Sequence, residues 1–310
     1  MMRQVSRNGP PERKAYVITG PTSGIGRATA LELAKQGTVV LVGRDRAKLE
    51  DVQKTIEQRR QHAISVGCDL SDPASVQRAA AEIVALHLSI AGLLNNAGIM
   101  QTKKPTKNAL GWDMTFATNH LGPFALTEAL VPHLRDGANV LFVVSAMEDP
   151  ERRPAKVMGM RGGRYLSAEA SARGEWKPGG ASIPGMDSYA TSKQCALAAT
   201  LAFARETPRL HFNAVEPGIT PGTGLGGPNV LLGLLFRYVI TFLPPFAQYR
   251  STPKRTARVI AAILTNVLEK TGVYYDEKGR AMLGSELARD PKFQERVVAE
   301  TRAFLARTPK

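Results

Sequence analysis

Along the first two-thirds of the chain, short continuous apolar runs alternate with segments in which apolar residues recur every three to four positions. The runs Lys14–Thr19, Thr38–Val42, Ala63–Cys68, Ile90–Asn95, Asn139–Ser145 and His211–Glu216 predict strands. They are not strict alternations, so each strand is expected to be covered on both faces. The helix patterns between them are Ile25–Gln36, Arg46–Arg60, Pro73–Leu86, Trp112–Arg135 and Ser188–Glu206. Repeated strand–helix–strand units with right-handed crossovers make an α/β architecture, a doubly wound parallel sheet. Further on, Pro253–Leu268 reads as a helix, Gly272–Tyr275 as a short last strand with Tyr274 and Tyr275 at the sheet edge, and Asp290–Ala306 as a closing helix.

Two stretches break the pattern. Glu148–Gly185 is rich in Gly, Pro, Arg and Ser and has little periodicity. It is too long for an ordinary connection, which leaves a lid, an oligomer contact, a membrane-surface element or a disordered loop. Ile219–Pro253 encloses an apolar core, Val230–Leu243, shorter than the roughly 20 residues a bilayer span needs. Gly233, Arg237 and Thr241 fall at four-residue steps, so a helix there carries one narrow polar stripe. Packing on the protein's own core or a partner subunit, or docking on an anionic lipid surface, would each cover the rest. Residues 1–13 are polar and read as a disordered leader. No composition break divides residues 14–310, which are expected to form one domain.

Composition narrows the partners. The 310-residue chain carries a formal charge of +14, which suits nucleic acid, anionic surfaces or anionic ligands. No basic block with interleaved aromatics is present, so nucleic acid is not expected. A dispersed surface charge with a phosphate-bearing cofactor accounts for the excess. Cys68 and Cys195 make no disulfide framework, which fits packing thiols in a reducing, cytoplasmic setting. The five histidines show no metal-ligand spacing.

The chemistry concentrates in a few short motifs. Thr19-Gly20-Pro21-Thr22-Ser23-Gly24-Ile25-Gly26 closes the first strand and opens a helix. Such a turn presents backbone N–H groups and the positive end of a helix dipole to a pyrophosphate. Val42-Gly43-Arg44-Asp45 ends the second strand. Arg44 there suits the 2′-phosphate of NADP, although Asp45 beside it is the kind of residue that binds the ribose of NAD or starts a helix. Asp69, followed by Leu70, could take an adenine amino group or make a turn, with Ser71 or Asp72 capping the next helix ahead of Pro73. Asn95-Asn96-Ala97-Gly98 lets the chain pass close beside a ligand. Ser145 ends a strand where open α/β sheets place ligand-binding groups. Tyr189 and Lys193, four apart, share a helix face, and a cation near a phenol favours its ionisation.

Taken together and in this order, the glycine turn, Asn95–Gly98, Asn119 within Thr118–Gly122, Ser145, Tyr189-x-x-x-Lys193 and Pro217-Gly218 resemble the short-chain dehydrogenase/reductase family over about Lys14–Thr223. Asn119-His120-Leu121-Gly122, Cys68-Asp69-Leu70 and Pro217–Leu225 further resemble its retinol dehydrogenase and protochlorophyllide reductase-like branch. The resemblance implies a Rossmann-type fold and hydride transfer between a nicotinamide cofactor, NADP over NAD, and a carbonyl or alcohol. Cofactor contacts would come from Gly20, Thr22, Ser23, Gly24, Ile25, Gly26, Arg44, Asp69, Leu70, Asn96, Ala97, Gly98, Tyr189, Lys193, Pro217, Gly218, Ile219 and Thr223. Ile219 would meet the carboxamide through its backbone. Tyr189 would be the general acid/base, Lys193 would bind the nicotinamide ribose and depress the Tyr189 pKa, Ser145 would hold the substrate oxygen, and Asn119 would kink its helix and hold a relay water. Residues 219–253 stand where the family has its substrate-binding loop; their apolar core, with Met147 near Ser145, suggests a lipophilic substrate. The family is usually homo-oligomeric. Residues 148–185 form an insert far longer than usual. A non-catalytic dinucleotide-binding regulator on the same fold is the alternative, and the presence of Asn119, Ser145, Tyr189 and Lys193 together argues against it.

Overall fold

The computed structural model describes residues 14–102, 104–157, 159–220, 244, 246–267 and 270–308. One eight-stranded sheet organises them, in the order β3-β2-β1-β4-β5-β6-β7-β8. Its strands are β1 (Lys14–Thr19), β2 (Thr38–Gly43), β3 (Ala63–Gly67), β4 (Ser89–Asn95), β5 (Leu134–Val143), β6 (His211–Val215), β7 (Tyr274–Tyr275) and β8 (Ala281–Met282). Pairing is parallel through β7, and β8 closes the edge antiparallel to it. The order runs outward both ways from β1 and β4. Between those two strands lies the crevice where open α/β sheets receive ligands.

The continuous apolar strands are covered on both faces. Val17, Val40, Val42 and Val66 face one core with α3 (Pro73–Ala85), α5 (Gly122–Leu130) and α8 (Met186–Glu206). Their alternates Tyr16, Ile18, Val39 and Leu41 face a second core with α1 (Gly24–Leu33), α2 (Arg46–Glu57) and α9 (Pro253–Thr265). Polar side chains stop the helices' ends from drifting: Asp45 accepts from the Lys48 N–H, Asp72 from the Ala74 N–H ahead of α3, and Thr252 from the Arg255 N–H ahead of α9. In β4 the register shifts at Ala91, and Gly92 leaves room for the Tyr16 ring.

The predicted single helix over Trp112–Arg135 is not one element. It is α4 (Met114–Phe116), a π turn over Ala117–Leu121, α5, and a 3-10 turn at Val131–His133. Pro132 ends the helical run, and Leu134 already pairs with Ile90, so β5 starts five residues before the predicted strand.

The insert is folded over its described residues. It contains α6 (Arg153–Val157) and α7 (Ala168–Arg173), the latter capped by Ser167 and stopped by Gly174 in the left-handed region. Tyr165 is fully buried among Phe116, Ala172, Cys195, Phe293 and Val297. Its hydroxyl donates to Glu300 Oε2 at 2.8 Å on α11 (Pro291–Ala306), the last helix, which follows α10 (Glu286–Arg289). Burying such a ring stabilises by roughly 2 kcal/mol, which explains why this stretch is not a loose loop. The leader 1–13, Thr223 and the apolar segment 230–243 lie outside the described residues.

Candidate active site

The glycine turn is built around one threonine. Thr19 Oγ1 accepts from the N–H groups of Asn96 and Ala97 at 3.0 Å each and donates to the Leu94 carbonyl. Asn96 Nδ2 returns two bonds, to the carbonyls of Thr19 and Gly20. The turn after β1 and the end of β4 are thereby one unit. Gly20 holds φ +65°, a region that side chains rarely adopt, and a Cβ there would meet Ala97 Cα at 2.9 Å. A Cβ on Gly26 would overlap the Gly20 carbonyl oxygen. Ser23 stands at the α1 N-cap without a side-chain cap bond, so the first-turn N–H groups remain available to an anion. This cradle fits a dinucleotide pyrophosphate, with Thr22, Ser23, Gly24 and Ile25 around the helix start.

At the end of β2, Asp45 is committed to the α2 cap and to Lys48 Nζ at 2.8 Å, which holds its carboxyl below the usual carboxylate range. Arg44 beside it is exposed. Arg46, which the sequence reading passed over, lies over the end of β3: its Nε is 3.4 Å from where a Gly67 Cβ would be. Asp69 makes the turn: its Oδ1 accepts from the Ser71 N–H and hydroxyl at 2.9 and 2.8 Å. Leu70 is buried, its carbonyl pressed against Gly122.

The catalytic candidates converge on the same crevice. Asn119 sits in the π turn, a local widening that such functional side chains often require. Its Oδ1 accepts from the Ile99 N–H at 2.8 Å, and its Nδ2 donates to the Ile99 carbonyl and to Ser192 Oγ. It thus clips the loop after β4 to α8. Gly98 lies between Asn119 and Lys193, with a Cβ there 3.3 Å from Asn119 Oδ1 and 3.4 Å from Lys193 Nζ. Lys193 Nζ donates to the Val143 carbonyl at 2.8 Å and lies 5.8 Å from the Tyr189 ring centre. Burial brings its pKa down to about 8. Ser145 caps the turn after β5 by accepting from the Met147 N–H, and its hydroxyl acts on the Tyr189 phenol, lowering its pKa against the effect of burial. The N-terminal end of α8 is held by Ser188, which donates to Asp113 Oδ1 at 2.5 Å.

One expectation needs correction. The Tyr189 pKa is raised, not lowered: burial dominates, the Ser145 hydroxyl opposes it, and Glu216 adds to it. Lys193, one of whose N–H groups donates to the Val143 carbonyl, is not among the groups that move it. The Ile219 N–H donates to the Tyr249 carbonyl at 2.8 Å, and its own carbonyl accepts from the Ser251 N–H and keeps a second lone pair for a carboxamide. Pro217 and Gly218 precede it; the Pro217 carbonyl accepts from Thr220 and Thr256, and Gly218 crowds the Tyr249 carbonyl.

Residues 14–153, which reach into the start of the insert, match the family model described as short chain dehydrogenase. The chain is 34% identical to dehydrogenase/reductase SDR family member 12 of Bos taurus over 221 residues, 70% of this chain and 64% of that protein. The chain thus spans less than two-thirds of that relative's length. The match to the family model assigns residues 14–153 to the short-chain dehydrogenase/reductase family. The chain is also 28% identical to the chloroplastic protochlorophyllide reductase of Pisum sativum, over 84% of this chain and 68% of that one, in keeping with the branch suggested by the Asn119–Gly122 segment. A short chain dehydrogenase from Burkholderia cenocepacia J2315, solved in complex with NADP, shares the fold with a TM-score of 0.65 and 23% identity, covering 86% of this chain and 96% of that one.

One buried carboxyl was invisible to sequence reading. Glu148, three residues past Ser145, is wholly buried and accepts from the Ser285 N–H at 2.8 Å and hydroxyl at 2.5 Å. Burial pushes its pKa up from 4.5 to about 7, against the Ser285 bonds. The folded state then binds this proton more tightly than the unfolded chain does. Its stability contribution is best at low pH and is lost as pH rises from about 4.5 through 7. The full loss is about 3 kcal/mol. Glu148→Gln keeps an acceptor for the Ser285 N–H and removes the titration. Urea unfolding at pH 5 and pH 8 should show the variant losing less stability between the two than the parent; equal losses would contradict the assignment.

Proposed function

We propose that this protein is an NADP(H)-dependent oxidoreductase that interconverts a lipophilic ketone or aldehyde and its alcohol. The observation that carries this reading is the convergence of Ser145, Tyr189, Lys193 and Asn119 on the loop that also closes the glycine turn, through Ala97 and Gly98. The nicotinamide cofactor, when bound, supplies or accepts the hydride. Ser145 and Tyr189 hold the substrate oxygen, and Tyr189 gives it a proton in reduction or removes one in oxidation. Lys193 and Gly98 border the same space, with Asn119 fixing the loop between them. NADP is favoured because Asp45 is spent on its helix cap and Lys48, leaving Arg44 and Arg46 to meet a 2′-phosphate.

The lipophilic substrate rests on what surrounds Tyr189. Met100, Met147, Met160 and Met186 pack around it with Ala155 and Ala181, and the insert supplies Met160 and both alanines. Methionine is apolar and adapts its shape, which suits a bulky apolar carbonyl.

The test follows nicotinamide absorbance with small, aromatic, terpenoid, steroid and retinoid carbonyls, each with NADPH and NADH. Turnover of a bulky apolar member with NADPH is expected. Binding of NADPH with no turnover across the panel would favour a regulatory role for the same fold. In the same format, Arg44→Ala should weaken NADPH by roughly tenfold or more, about the 1.5–3 kcal/mol of a charge-assisted bond, and leave NADH nearly unchanged. Equal weakening of both would remove the case for NADP.

A further inference from the structure

The stretch that follows β6 leaves the sheet at Pro217 and returns ahead of α9, and its two ends meet in a narrow neck. Ile219 donates its N–H to the Tyr249 carbonyl at 2.8 Å, and its carbonyl accepts from the Ser251 N–H at 2.9 Å. With Arg250 it makes an isolated parallel bridge. Closing the loop from Ile219 to Tyr249 costs chain entropy, and two backbone bonds contribute little net against that cost.

One side chain of the insert touches both sides of this neck. Arg152 stands immediately before α6, where its carbonyl accepts from the Lys156 N–H. Its Nη2 donates to Glu216 Oε2 at 2.5 Å, directly after β6 and before Pro217. Its guanidinium lies over the Tyr249 ring, 5.7 Å from the centre, and Nη2 is also 3.8 Å from Met282 Sδ on β8. The Glu216 side chain is 7% exposed and that of Arg152 23%, so solvent screens the pair little. The same short helix reaches Tyr189: Ala155, three residues on, packs in the apolar group around it.

We propose that Arg152 is a positioning residue for the nicotinamide end of the cofactor: by joining Glu216 to Tyr249 it clamps the neck, and so holds the Ile219 carbonyl in place for a carboxamide. The inference rests on the reading of Ile219 as the carboxamide contact. An arginine suits the task because its planar group bonds a carboxylate at its edge while an aromatic ring lies under its face. A Glu216 carboxylate buried without a cation would be costly, so the neck in this form requires the insert to be docked. Thr256 of α9 also ties the neck, by donating to the Pro217 carbonyl and meeting Ser251 Oγ. Arg152 braces the positions beyond these two, Glu216 and Tyr249. The insert thereby takes part in cofactor binding through one guanidinium.

The test compares two ligands and adds one exchange measurement, all on the full chain. Adenosine 2′,5′-bisphosphate shares the adenosine and 2′-phosphate of NADPH but lacks the nicotinamide. In the double variant Arg152→Met with Glu216→Met, both charges are removed and neither is left buried alone. NADPH should bind it about tenfold more weakly, the scale of one charge-assisted hydrogen bond. The bisphosphate should bind as it does to the parent. In the ligand-free protein, hydrogen exchange at the Ile219 and Ser251 amides should quicken while the amides of β1 and β2 keep their rates. Should the double variant fold poorly, Arg152→Lys leaves Glu216 a cation but takes the planar group from Tyr249, and the same changes are expected in smaller measure. Unchanged exchange at both amides would overturn the clamp. Equal weakening of the two ligands would overturn it as well, since that marks a general loosening. Faster exchange with unchanged NADPH binding would sink the reading of Ile219, and with it the role of Arg152 at the cofactor. A parent that bound neither ligand would sink the oxidoreductase reading on which both stand.

Discussion

Tyr189→Phe should keep the fold and bind NADPH as the parent does, yet lose about 10²-fold or more in turnover, the usual contribution of a positioned general acid/base. The substitution removes one oxygen. The ring stays among Met100, Met147, Met160 and Met186, so the packing of α8 on the insert is retained. What is lost is the phenol hydroxyl on which Ser145 acts, and with it the proton that it carries. The glycine turn is tied to β4 through Thr19 and Asn96 and does not depend on the phenol, so cofactor affinity is untouched. Fluorescence titration with NADPH and steady-state turnover, measured side by side, separate the two effects. Turnover within a few-fold of the parent would show that another group moves the proton, and Ser145 would be the next residue to replace. Parallel loss of NADPH binding would mean instead that the ring supports the cofactor site.

Much of this site is legible in the sequence because the decisive features are local. The glycine turn, the strand-end Ser145 and the four-residue step from Tyr189 to Lys193 are fixed by backbone geometry within one element. The continuous apolar strands announce a sheet covered on both sides, and the structure has it. What escaped depends on partners far away in the chain. The helix pattern over 112–135 is apolar enough to be continuous, but Asn119 is pulled to Ile99 and Ser192 and the helix widens there. The insert lacks periodicity because its order comes from Tyr165 bonding Glu300 and from aromatic rings of other elements. Glu148 with Ser285 and Arg152 with Glu216 are pairings 137 and 64 residues apart, and each acid reads in sequence as an ordinary surface charge. The Tyr189 pKa was misjudged for the same reason. Spacing places the cation of Lys193 nearby, but only the fold shows that burial, which acts the other way, outweighs it.

Lys193→Met is expected to give a protein that is nearly inactive and more stable. The parent ammonium is buried, and its pKa falls from 10.5 to about 8 for want of solvent. The folded state thus binds this proton less tightly than the unfolded chain. Below pH 8 the full cost of the buried charge is present, about 3 kcal/mol for a shift of this size. Through the window from about 8 to 10.5 the cost is relieved, and the stability of the parent rises with pH. Methionine fills similar space without a charge. It forfeits the bond to the Val143 carbonyl, worth about 1 kcal/mol, so a net gain of about 2 kcal/mol at pH 7 is expected, shrinking to nothing or reversing above pH 10. Urea unfolding of both proteins across pH 6–10.5 reads this directly. The parent should show the rise and the variant a flatter curve. Turnover should fall by 10²-fold or more, because the cation that borders Gly98 and Tyr189 is gone. A variant that is both inactive and less stable at neutral pH would mean that the lysine is held for structure. The opposite result, lost activity with gained stability, marks a charge retained against the interest of the fold, as a residue kept for its work on a ligand should be.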